Sequence, residues 1–152
     1  MTTLAYQLYC SRNWPLDETL KMLSGIGYAH VEGYGGLMSD VPALERGLKD
    51  NGLTMLSTHY ALDALESDPD KAVETARTLG VGKVFVPHIG PDDRPNNANG
   101  WQAFGKRLAP LAESVGSDIM VDVDVTDDAS MDAAFATLAD RWGSLDFVVH
   151  AI

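Results

Sequence analysis

The 152 residues carry 11 Lys and Arg against 22 Asp and Glu, a formal net charge of −11 at pH 7 that repels phosphate backbones and anionic headgroups. Nucleic acid and membrane are thereby excluded as partners, and no apolar run comes near the ~20 residues that cross a bilayer. The length suits one domain, 1–152, and the single Cys10 excludes an internal disulfide and a cysteine-built zinc site; with no basic and apolar leader at the start, a cytoplasmic location is expected.

Residues 4–10 read as a buried strand, and residues 15–26 as a helix with Leu16, Leu20 and Leu23 on one face, closed by Gly27. A second strand covers 28–34, followed by a loop over the glycines from Gly33 to Gly36. Asp40 caps the next helix, with Pro42 in its first turn, Gly47 weakening its middle and Gly52 ending it. A third strand spans 53–60. Asp68 and Pro69 open a helix that turns Ala72, Val73, Ala76 and Leu79 inward and stops at Gly80. The fourth strand is 83–88, and residues 91–99 form a polar loop rich in Pro, Asn and Asp.

The following helix, 100–113, places Trp101, Phe104, Leu108 and Leu111 on one stripe, with Asn99 as its N-cap. Pro110 predicts a kink or an early end. A fifth strand is expected over 119–125. A helix follows over 130–142, with Met131, Ala134, Phe135, Leu138 and Trp142 on one stripe and Gly143 as its cap; a sixth strand covers 145–152. This alternation predicts an α/β fold with a parallel six-stranded sheet, (βα)5β, built with right-handed crossovers. An open doubly wound sheet and part of an eight-stranded barrel both satisfy that pattern, differing in strand order and closure.

Two resemblances meet inside the helix at 100–113. Gln7-Leu8-Tyr9 with Arg12, then Gly27 through Gly36, then Asn51-Gly52-Leu53 with Ser57-Thr58-His59, resemble the sugar phosphate isomerase/epimerase family of xylose-isomerase-like TIM barrels over roughly 4–110. That likeness implies half of a barrel, with a divalent metal, a small sugar ligand and paired carboxylates at the C-terminal ends of strands. From Gly105-Lys106-Arg107-Leu108 onward, through Asp124-Val125-Thr126-Asp127 and Trp142-Gly143 to Leu145 and beyond, the wording is similar to an enoyl-acyl-carrier-protein reductase of the short-chain dehydrogenase type. It implies a Rossmann fragment in which Asp124 and Val125 inherit the adenine side of an NAD site. The two likenesses place a seam within about 100–115 of a single domain.

Glu32, His59 and His88 sit at or near the C-terminal ends of strands two, three and four, where such folds place working residues, so they are the candidate catalytic and metal-ligating set. The plainer alternative leaves them as a solvated rim. His30 and His150 have no ligand spacing around them. Asp122 and Asp124 share one face of the fifth strand, as a cation-binding pair or as charges that protect a sheet edge. Cys10 reads as a core or rim thiol. NAD binding is not expected, because the first strand leads into Ser11-Arg12-Asn13-Trp14-Pro15 without a glycine; Gly33-Tyr34-Gly35-Gly36 is the one loop that could cradle phosphate, and it lacks the G-x-G-x-x-G spacing.

The expected function is therefore that of a hybrid, chimeric α/β protein, natural or engineered, with no complete active site, no cofactor and no turnover. Two alternatives stand beside it: a vestigial sugar phosphate isomerase/epimerase using a divalent metal, and a weak adenine-nucleotide binder. Sequential strand order predicts a homodimer through exposed sheet edges, and a return of the last strand into the sheet predicts a monomer.

Overall fold

The structure, a computed structural model, describes residues 3–117, 119, 121 and 123–143. Four short strands, β1 (Ala5–Gln7), β2 (His30–Tyr34), β3 (Thr54–His59) and β4 (Lys83–Phe85), form one parallel sheet in the order β1-β2-β3-β4. Each new strand is laid beside the last, as in a barrel, with no switch point of the doubly wound kind among the described residues.

Six strands were expected, and four are present among the described residues. No described residue of the expected fifth strand lies in a strand: Ile119, Val121, Val123, Asp124 and Val125 are in turn or irregular backbone. Its end is taken up by a local turn. The Asp124 carboxylate accepts the Thr126 N–H at 2.9 Å and the Thr126 hydroxyl at 2.7 Å, while the Asp127 N–H donates to the Asp124 carbonyl at 3.1 Å. Side-chain bonds of this kind compete with a sheet ladder for the same backbone groups. The sixth strand, 145–152, lies outside the described residues, as do Asp122 and His150.

Six α-helices accompany the sheet among the described residues. In α1 (Leu16–Gly25), Leu20 and Leu23 are fully buried, and in α2 (Val41–Asp50), Leu44 and Leu48 are buried. Asp40 caps α2 by accepting the Ala43 N–H at 3.0 Å. These leucines close over Val31 of β2 and Met55 of β3 to make the main core, on one side of the sheet. Gly47 has a packing role that its weak helix propensity concealed: a Cβ there would lie 2.9 Å from Leu20 Cδ1, so the glycine lets α2 approach α1 closely.

A short helix, α3 (Leu62–Ser67), precedes α4 (Pro69–Thr78), in a stretch to which the sequence alone assigns no element. It buries Leu62 and Leu65, too few turns for helical periodicity to stand out in sequence. Asp68 caps α4 through the Lys71 N–H at 3.0 Å.

The helix at the seam, α5, runs Ala98–Ser114. Its N-cap is Asn97, accepting the Gly100 N–H at 2.9 Å, and not Asn99, which lies inside the helix. No early end occurs at Pro110, because Lys106, whose carbonyl loses its usual partner, and Pro110 itself are both on the exposed side. The last described helix, α6 (Asp128–Trp142), starts two residues before the expected Ser130, capped by Asp127. It ends where Gly143, at φ +76°, donates its N–H to the Ala139 carbonyl at 2.7 Å. Of its apolar stripe Ala134 alone is buried, and Phe135 and Trp142 are exposed. No helix among the described residues is long and apolar enough to cross a membrane.

Candidate functional site

Burial alternates along β2. Val31 and Gly33 are buried toward the helices, whereas His30, Glu32 and Tyr34 are only partly covered, so Glu32 lies on the face away from the main core. A row crosses all four strands at that level: Gln7 pairs in register with Glu32, Glu32 with Ser57, and Ser57 with Lys83. The row is polar at every position.

Between Val31 and Glu32 the register shifts: Val31 faces Met55, but Glu32 faces Ser57 and Tyr34 faces His59. Continued without the shift, Glu32 would face Leu56. The irregularity therefore brings a hydroxyl and an imidazole onto the face of the carboxylate. Glu32 Oε2 accepts the Ser57 hydroxyl at 2.6 Å, and Oε1 accepts the Gln7 amide N–H at 3.0 Å and lies 3.1 Å from His59 Nε2. The His59 ring stands edge-on to Phe85, with centroids 6.0 Å apart. The Cys10 thiol, exposed, donates to Gln7 Oε1 at 3.8 Å.

Of the three candidate residues the structure brings together two, Glu32 and His59. His88 is exposed in the segment after β4. The carboxylate and imidazole lie within hydrogen-bond reach of each other on the partly covered face of the sheet. As metal donors they supply two ligands where a protein site needs at least three, and no group of three His, Cys, Asp or Glu among the described residues is placed to hold a metal ion. These donors do not fit a resident metal. Gln7 and Ser57, which complete the cluster, were missed in the sequence; their signal was placement on successive strands, legible only with the register known.

The adenine-side candidates have local duties. Asp124 is an exposed turn residue whose carboxyl is held below the ordinary aspartate range, chiefly by the Thr126 hydroxyl and then by the Thr126 N–H. Its own N–H donates to the Ser130 hydroxyl at 2.8 Å, and Val125 is exposed. The glycine loop offers no cradle for a pyrophosphate. Gly33 belongs to β2, where a Cβ would strike Met55 and Thr58, and the helix that follows the loop carries the Asp40 carboxylate on its N-terminus, where a phosphate would have to sit. The cofactor does not fit this arrangement.

Comparison with known proteins finds likenesses of two kinds, one in sequence over part of the chain and one in fold over most of it. The family described as enoyl-(acyl carrier protein) reductase matches residues 98–152. Two NADH-dependent enoyl-[acyl-carrier-protein] reductases of Rhizobium meliloti (strain 1021) are 53% identical over 51 residues and 50% identical over 54 residues, each across 34% of this chain. The chain spans 19% and 20% of those relatives, about a fifth of their length. The structural likenesses are of another kind. A sugar phosphate isomerase/epimerase from Parabacteroides distasonis superposes with a TM-score of 0.58 at 16% identity, covering 76% of this chain and 48% of that one. The 3-keto-D-glucoside 4-epimerase YcjR of E. coli gives 0.57 at 13% identity, covering 90% and 64%. An AP endonuclease of family 2 from Brucella melitensis gives 0.51 at 15% identity, covering 93% and 75%. The chain is thus an α/β protein with the parallel, TIM-barrel-like fold of the isomerase/epimerase structures, and over residues 98–152 it is similar in sequence to a fragment of the enoyl reductases.

Proposed function

We propose that this chain is a hybrid α/β protein in which neither ancestry contributes a complete active site, and that it has no turnover of its own. One observation supports this above the others: the reductase-like stretch begins at residue 98, the first residue of α5, after four strands in barrel order and the connecting segment 86–97. On the barrel side, Glu32 and His59 meet without a third metal-binding side chain among the described residues; on the reductase side, Asp124 is engaged in its own turn. Incubation with ketoses and sugar phosphates, with and without divalent metal, is expected to give the same background rate as Glu32→Gln. Metal-dependent turnover above that variant overturns the proposal. A melting temperature unmoved by millimolar NAD is likewise expected, since a ligand that binds only the folded state raises it.

The 3.1 Å contact of Glu32 with His59 supports a second reading, a remnant sugar isomerase/epimerase site on the open face of the sheet. A small sugar would lie over Gln7, Glu32 and Ser57, with the carboxylate and imidazole exchanging a proton with it. A divalent metal would need further ligands, from a second copy of the chain or from residues outside those described. The outer edge of β1 pairs with no strand among the described residues, and a homodimer joined there would provide such a copy. Elemental analysis together with sedimentation decides: a metal-free, chelator-indifferent monomer leaves this second reading without support.

A further inference from the structure

Helix α5 buries only Phe104 among its residues, so its apolar hold on the rest of the fold is thin. A polar one is added three residues on. The Arg107 guanidinium grips the Glu66 carboxylate with two nitrogens, Nε on Oε1 and Nη2 on Oε2 at 2.6 Å, while Nη1 donates to Asp93 Oδ1 at 2.7 Å. Its Cζ lies 5.6 Å from the centre of the Phe104 ring, whose own edge-on neighbour is Trp101. Glu66 belongs to α3 and Asp93 to the segment 86–97 between β4 and α5. Two turns, Asp93 N–H to the Gly90 carbonyl at 3.2 Å and Arg94 N–H to the Pro91 carbonyl at 3.3 Å, shape that segment beside Asp93. Arg94 adds a bond from Nη2 to the Ile89 carbonyl at 3.1 Å.

An isolated ion pair at a surface contributes little, but a fork-to-fork pair shared with a second carboxylate is the geometry in which such contacts matter. One side chain here ties together three segments. The sheet is parallel, so segment 86–97 leaves it at the same end as Tyr34 and His59, beside the Glu32–His59 pair. We propose that Arg107 is a latch: it holds α5 and the rim segment 86–97 down on α3, and its release opens 86–114 as a unit while the body formed by β1 to β3, α1 and α2 stays folded. The latch is independent of whether the rim does chemistry.

Hydrogen exchange of the full chain, read peptide by peptide by mass spectrometry, tests this. Arg107→Gln and Glu66→Gln each keep helix-compatible side chains and remove the charge pair. Both are expected to speed exchange across 86–114 by on the order of tenfold, with 16–59 unchanged. Lys106→Gln, one residue away on the exposed side of α5, removes a charge without touching the clamp and should leave both regions as in the parent. Three results overturn the latch: unchanged exchange across 86–114 in the two clamp variants, acceleration no greater than in Lys106→Gln, or equal acceleration over the whole chain. Exchange across 86–114 that is already complete in the parent at the earliest time overturns it as well.

Discussion

Adding a single methyl group at Gly33 probes the register that makes the polar cluster. Gly33 follows Glu32 on β2 and faces the helices, and an ideal Cβ there would lie 2.6 Å from Met55 Sδ, 2.8 Å from Thr58 Oγ1 and 2.9 Å from Met55 Cε. Met55 and Thr58 are 1% and 0% exposed, so neither has open space to retreat into. Overfilling a packed core in this way costs about 1–3 kcal/mol. For a chain of this size each kcal/mol lowers the melting temperature by roughly 2–4 °C, so Gly33→Ala should melt about 2–12 °C lower. Gly47→Ala is the matched comparison. Its Cβ meets one atom, Leu20 Cδ1 at 2.9 Å, the end of a flexible side chain, and alanine gains about 1 kcal/mol over glycine inside a helix. Its net change should be small. Thermal and urea unfolding of both variants measure the difference, and a Gly33→Ala protein as stable as the parent, or more stable than Gly47→Ala, would refute the packing on which the β2–β3 register depends.

Pro110→Ala restores a helix N–H opposite the Lys106 carbonyl, and because α5 already continues to Ser114, stabilisation of about 1–3 kcal/mol is expected in thermal unfolding. Arg107 holds the Glu66 carboxyl below the ordinary glutamate range, chiefly by hydrogen bonding, against a smaller repulsion from Asp93. A depressed folded-state value means stability that is present above the unfolded glutamate value and lost as pH falls through the folded one; Glu66→Gln should flatten that part of an acid-unfolding curve. Burial raises the Tyr60 hydroxyl above the ordinary tyrosine range. Here the sign is opposite: the stabilisation is complete below the unfolded tyrosine value and lost as pH rises through the folded one. A 295 nm titration should show one tyrosine ionising late, and Tyr60→Phe should remove that step.

Local signals in the sequence determined the elements over most of the chain. Asp40 and Asp68 as caps, Pro42 and Pro69 in first turns, and Gly27, Gly52 and Gly80 past helix ends each act within four or five residues, and the structure places the element boundaries beside them. The alternation of strand and helix likewise implied parallel pairing, and the leucines of α1 and α2 announced the side that the core occupies. Tertiary structure decided what depends on meetings between distant residues. Strand order did so first, because barrel and doubly wound sheets share one local pattern. Residues 119–125 alternate like a strand, yet Asp124 closes a turn with Thr126 and the described members stay out of the sheet. Glu32 was visible as a carboxylate near a strand end, but its partners Gln7 and Ser57 were not. A side-chain period of two makes one residue of register the difference between facing Leu56 and facing Ser57, and that shift between Val31 and Glu32 arises in the pairing of β2 with β3.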